Sequence, residues 1–140
     1  MKIKKVLVGG VFDILHYGHI HFLKQAKRMG DYLVIALESD KNTKRLKGPS
    51  RPFHNQKQRK EILESLSFVD KVLILPDKMT DSDYFDLVKK IKPYAIAITK
   101  GDPVKEKKAA HAKQIGSEII EIKKLDTPST TQIAKILRLE

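Results

Sequence analysis

The chain has 140 residues, a length suited to one domain over 1–140, and 28 Lys and Arg against 17 Asp and Glu give a formal net charge of +11. That balance favours anionic partners: nucleotides, phosphorylated metabolites, nucleic acid or an anionic surface. The absence of cysteine excludes disulfides, thiolate metal sites and cysteine nucleophiles, and makes the reducing cytoplasm the expected compartment.

The basic start Met1-Lys2-Ile3-Lys4-Lys5-Val6-Leu7-Val8 is too briefly apolar for a signal-peptide core or a membrane span and reads as the first strand. Strands are expected at 5–8, 32–37, 71–75, 95–98 and 118–122, each rich in Val and Ile and almost continuously apolar. That is the pattern of strands buried on both faces of a parallel sheet. Between and after them, amphipathic segments predict helices at 18–29, 56–66, 82–91, 105–115 and 129–139. Strand and helix in alternation imply an α/β fold: a Rossmann-like, doubly wound, five-stranded parallel sheet with helices on both faces. The longest irregular stretch is expected at 45–54, and a loop of that length in a short chain is functional or mobile.

Open α/β sheets bind ligands outside the carboxyl ends of their strands, so the segments 9–19, 39–54, 99–102 and 127–131 are the candidates. In the first, Gly9-Gly10-Val11-Phe12-Asp13 leads to His16-Tyr17-Gly18-His19. Two imidazoles three residues apart on an opening helical turn can address one ligand, with Gly18 leaving space beside them. One reading is a phosphate cradle whose imidazoles stabilise charge on a transferring phosphoryl group; the other is one capping and one packing histidine. Zinc is disfavoured, because no third ligand accompanies the pair.

The second segment gathers Lys44, Arg45, Lys47 and Arg51, a solvated basic face or a loop that closes on phosphates. Arg59, on the next helix, can offer its planar fork to a phosphate or pair on the surface with Glu61 or Glu64. Asp102 after Gly101 is a turn residue or a site acid. Pro128-Ser129-Thr130-Thr131 either caps the last helix or offers hydroxyls and N–H groups to phosphate oxygens.

The run from Gly9 to Leu23 resembles the signature of the nucleotidyltransferase superfamily with the HxGH motif. Ser39 to Pro52, Gln58-Arg59, Val69-Asp70, Lys100-Gly101-Asp102 and Ser129-Thr130-Thr131 resemble the adenylyltransferase domain of the heptose-phosphate kinase/adenylyltransferase of lipopolysaccharide core synthesis. Glycerol-3-phosphate cytidylyltransferase and archaeal FAD synthase are similar in the same places, less so from Lys44 to Gly48. The resemblance implies transfer of a nucleoside monophosphate, AMP from ATP first of all, to a phosphorylated small molecule such as a heptose 1-phosphate, with release of pyrophosphate. It implies Mg²⁺ carried by the triphosphate, with no metal assigned to protein side chains, and a homodimer. His16, His19 and Lys47 would be catalytic. The nucleotide would be held by Gly10, Val11, Phe12 and Gly18, by Gly101 and Asp102, and by Pro128, Ser129, Thr130 and Thr131. The acceptor would be held by Asp13, Lys44 and Arg59; Asp13 could instead orient a histidine or be purely structural. Lys100-Gly101-Asp102-Pro103 departs from the heptose enzymes, being one residue shorter and closed by proline.

A basic nucleic-acid-binding module is the reading from another class. Against it stand 6% aromatics, the absence of an RNP-type aromatic pair and of a helix-turn-helix signature, and lysines dispersed rather than striped.

Overall fold

The computed structural model describes residues 2–138; the expected end of the last helix at 139 lies outside the described residues. The elements run β1 (Lys5–Gly10), α1 (Tyr17–Arg28), β2 (Tyr32–Leu37), α2 (Asp40–Lys47), α3 (Gln56–Glu64), β3 (Lys71–Ile74), α4 (Asp81–Ile91), β4 (Ala95–Thr99), α5 (Lys105–Ile115), β5 (Glu118–Ile122) and α6 (Thr130–Ile136). The five strands form one sheet of order β3-β2-β1-β4-β5. Every adjacent pair is parallel.

The two-residue period of each strand divides the core cleanly. Val6 and Val8, Leu33, Ile35 and Leu37, and Ala97 face one apolar cluster, which Leu23 and Ala26 of α1 and Leu63 of α3 complete. Leu7, Val34 and Ala36, and Ile96 and Ile98 face the other, closed by Val88 of α4 and Ala112 of α5. Helices therefore cover both faces, and the near-continuous apolar strands have their physical cause. The chain winds from β1 outward to β3 and then returns through α4 to β4. The switch in strand order falls between β1 and β4, where such sheets leave a crevice at their carboxyl edge.

One expectation is corrected. The first part of the supposed 45–54 loop belongs to α2, whose N-cap Ser39 accepts a bond from the Asn42 amide. Its sequence, Asp40-Lys41-Asn42-Thr43-Lys44-Arg45-Leu46-Lys47, has only Thr43 buried. A helix that buries a threonine and no apolar side chain has no hydrophobic period to read.

Candidate functional site

A cleft of about 780 Å³ lies at the carboxyl edge of the sheet, at the β1/β4 switch. On its α1 side, His16 is the N-cap of the helix and His19 its third residue, and the two form a capping box made of imidazoles. Gly18 N donates to His16 Nδ1 at 3.0 Å, and His16 N donates to His19 Nδ1 at 3.2 Å. The rings stack with centroids 3.9 Å apart. A nitrogen that accepts from an amide carries no proton, so each neutral ring holds its hydrogen on Nε2. Burial, then the neighbouring charges of His16, Lys47 and Arg51, push the His19 imidazole down to about 4. Burial and the Lys124 charge lower His16 as well. Near neutral pH the pair is thus two uncharged N–H donors at the cleft wall.

Gly18 does not leave an open space, as its sequence context suggested. A Cβ there would stand 2.8 Å from His16 Cε1 and 3.3 Å from Thr127 Cγ2, so glycine is required for the imidazole to fold back onto the helix.

The turn from β1 into α1 is strained and clamped. Phe12 and the β-branched Ile14 both adopt left-handed backbone, with φ of 48° and 46°, a conformation such residues enter only when their surroundings impose it. Arg59 Nη1 donates to Val11 O at 2.8 Å. Thr130 Oγ1 lies 3.0 Å from Asp13 O and 2.8 Å from Ile14 O, bonding the turn to the start of α6.

Arg59 is accordingly a correction: expected to hold an acceptor phosphate, it is fully buried and does not line the cleft. Its fork donates to His54 O, Val11 O, Glu38 O and the Asp40 carboxylate, which leaves no face of it for a ligand. The surface pair with Glu61 or Glu64 is replaced by the pair with Asp40.

Asp13 lines the cleft, but its carboxylate is committed. It accepts from Arg51 Nε at 2.9 Å, Phe53 N at 2.8 Å and His54 N at 3.1 Å. Burial alone would raise this acid; the bonds from the Phe53 amide, Arg51 and the His54 amide hold it below the usual carboxylate range. Arg51 is the member of the cationic cluster that goes inside, with Nη1 also donating to Thr131 Oγ1 at 3.3 Å. Lys47, at the end of α2, is exposed and lines the cleft. Lys44 is exposed one turn earlier and does not reach it, and Pro128 also lies off it.

Gly10, Val11, Phe12, Gly101 and Asp102 all border the cleft, as do Ser129, Thr130 and Thr131. Ser129 caps α6, its hydroxyl accepting from the Gln132 amide, so the capping reading of this segment holds alongside its place on the wall. Asp102 is a turn residue as well as a wall residue: it accepts from Val104 N at 2.8 Å and pairs with Lys108 Nζ at 2.9 Å.

Part of the cleft wall was not found by sequence reasoning. Glu38, Tyr84 and His111 line the same cleft as Asp102. Burial, then the charges of Glu38 and Asp102, push the Tyr84 phenol up to about 12. The Tyr84 and His111 rings lie near parallel with centroids 6.5 Å apart, and His111 Nδ1 is buried with no partner among the described residues. Lys123 and Lys124 also border the cleft; their position just past the fifth strand was the available signal.

Among the described residues no group of three or more His, Asp or Glu is arranged to hold a metal ion. Asp13 and Asp102 are already engaged by Arg51 and Lys108, so the side chains fit a cation delivered with a phosphate ligand better than one resident on the protein. Nor, among the described residues, is any helix long and apolar enough to cross a membrane.

Comparison with known proteins gives the same bearing. The cytidylyltransferase-like family model matches residues 7–135. The bifunctional protein HldE of Aliarcobacter butzleri is 39% identical over 132 residues, 94% of this chain but 26% of that protein. The FAD synthase of Thermococcus sibiricus is 40% identical over 135 residues, 92% of this chain and 88% of that one. The chain thus spans about a quarter of the HldE proteins it matches, and most of the FAD synthases. A lipopolysaccharide core biosynthesis protein from Thermoplasma volcanium is similar in structure, with a TM-score of 0.72 at 29% identity, covering 89% of this chain and 100% of that chain.

Proposed function

Because the chain belongs to the cytidylyltransferase-like family and is an enzyme of the nucleotidyltransferase type, we propose that it transfers AMP from ATP to a phosphorylated small molecule, a sugar 1-phosphate such as heptose 1-phosphate, releasing pyrophosphate. The observation that carries this reading is the imidazole capping box, which fixes two Nε2–H donors side by side on the cleft wall.

In the reaction an oxygen of the acceptor's phosphate attacks the α-phosphorus of the triphosphate. A new P–O bond forms as the bond from the α-phosphorus to the bridging oxygen breaks, and pyrophosphate leaves with that electron pair. A phosphate monoester dianion is a competent nucleophile without a general base, so the protein contributes positioning and charge stabilisation. His16 and His19 donate Nε2–H bonds to phosphate oxygens as charge shifts toward the leaving group. Lys47 supplies a mobile cation from the α2 side. Mg²⁺ enters as part of the triphosphate substrate and neutralises its charge.

Transfer to FMN is the second reading, favoured by FAD synthases that match over most of the length of both chains. A pyrophosphate-release screen crossing ATP and CTP with heptose 1-phosphate, FMN and glycerol 3-phosphate tests both. Release with ATP and the sugar phosphate is the expected result. Release with FMN alone selects the second reading, and no release with any pair overturns the proposal.

A further inference from the structure

We infer that the amino edge of the sheet, at the far end of the strands from the cleft, carries a second anion site that takes a small organic polyphosphate: a ligand with several phosphate charges and an apolar or aromatic part. The inference does not depend on which reaction the cleft performs.

A hollow of about 580 Å³ lies where the chain enters β1, beside the carboxyl ends of α4 and α5. That volume suits a small molecule, and none of its lining residues lines the cleft. Its charge comes from Lys2, Lys4, Lys89 and Lys92, and no acidic side chain is among the lining residues. None of these four ammoniums joins an ion pair among the described residues. Asp31, whose carboxylate accepts from the Lys4 amide at 3.1 Å, lies outside the lining. At the cleft, by contrast, Lys107 and Lys108 have Asp81 and Asp102 as partners.

The ends of α4 and α5 offset part of this charge. Each presents about half a negative charge, so roughly three positive charges remain uncompensated. The Lys4 ammonium stands 4.8 Å from the centroid of the Tyr94 ring, and the Lys89 ammonium 5.4 Å from that of Phe85. A ring face orders an ammonium without cancelling its charge.

Apart from the Tyr94 hydroxyl, the rest of the lining is apolar. It consists of Ile3, Pro93, the Tyr94 ring and Ile115, and both Ile3 and Tyr94 are exposed. Ammoniums on long stems answer to charge rather than to a planar fork, which suits the oxygens of a flexible phosphate chain. An inorganic anion would leave the isoleucines in water, whereas a ligand with a ring beside its phosphates covers them and gains about 25 cal/mol per Å² of apolar surface. Other occupants fit less well. A second copy of the chain, paired through this face, would set its own four lysines against these. A nucleic-acid backbone calls for a stripe of charge, and this charge surrounds one hollow.

Backbone-amide NMR with ATP, AMP and inorganic triphosphate as probes tests the site, because it reads the two ends of the sheet separately. Saturable shifts are expected at Ile3, Tyr94 and Ile115, apart from any at Gly10 and Gly18 in the cleft, with ATP bound more tightly there than AMP or inorganic triphosphate. The variant is Lys89→Gln with Lys92→Asn, asparagine being chosen because Lys92 has left-handed backbone with φ of 52°. It is expected to weaken the response at the amino edge about tenfold at low salt and by less at high salt, with the cleft shifts and pyrophosphate release as in wild type. Lys57→Gln with Lys60→Gln removes the same charge from α3, outside both hollows, and is expected to leave the response unchanged. Absence of shifts at Ile3, Tyr94 and Ile115 overturns the inference, as does an equal loss in the α3 variant, or ATP bound no more tightly than AMP or inorganic triphosphate.

Discussion

The Asp13 carboxylate and the Arg51 guanidinium meet 2.9 Å apart with side chains 0% and 2% exposed, joining the turn after β1 to the segment after α2. The same carboxylate takes two amides from that segment. Removing one partner of such a pair leaves the other charged and buried, at a cost of about 3–5 kcal/mol. Asp13→Asn is expected to lose stability on that scale in urea unfolding, and Asp13→Asn with Arg51→Met to lose less than the two single changes summed. Additive losses would show that the pair is not coupled.

His16 serves both as a helix cap and as a donor to phosphate, and the two roles separate by substitution. Asparagine caps as well as any residue, so His16→Asn keeps α1 within about 1 kcal/mol of wild type, whereas His16→Ala also loses the cap. Both variants, and His19→Ala, are expected to release pyrophosphate at least about a hundredfold more slowly, the usual scale for a lost transition-state donor. Wild-type turnover in His16→Asn would remove the imidazole from the chemistry.

The depressed His19 imidazole makes the fold acid-sensitive. Between its ordinary 6.5 and about 4, the unfolded chain binds a proton there that the folded chain does not. The stabilisation is therefore complete above 6.5 and is lost as pH falls toward 4, with a sum on the order of 3 kcal/mol. Denaturant midpoints taken across that range, compared with those of His19→Ala, measure it. Nitrogen-15 imidazole shifts at neutral pH are expected to report the Nε2–H tautomer for both rings.

Lys47 is exposed at the end of α2 and pairs with no carboxylate among the described residues. Lys47→Ala is expected to leave stability within about 0.5 kcal/mol. It should also weaken triphosphate binding about tenfold at low salt and by less at high salt, because the contribution is a screened charge. A salt-independent effect would point to a change of shape instead.

The sheet was legible because each strand alternates between two buried faces and so reads as an unbroken apolar run, as Val6-Leu7-Val8 does. The rim was legible for a different reason: strand ends fix where a ligand sits, and His16, His19 and Asp102 all follow strand ends. What escaped was whatever depends on partners distant in sequence. Nothing local to Arg59 shows that its fork will be filled by oxygens from Val11, Glu38, Asp40 and His54. Asp13 gave equally little notice that two amides forty residues on would occupy it. Tyr84 and His111 were hidden in helix interiors away from any strand end, where an aromatic residue ordinarily means packing.

Thr130 reaches across 117 and 116 residues of sequence to hold the Asp13 and Ile14 carbonyls. The turn that presents the histidines is therefore held from two directions at once, by the segment after α2 through Asp13 and by the start of α6 through Thr130. A residue remote in sequence from either imidazole thus carries part of their placement, and loss of its hydroxyl frees two carbonyls of the left-handed turn rather than any atom of the histidines.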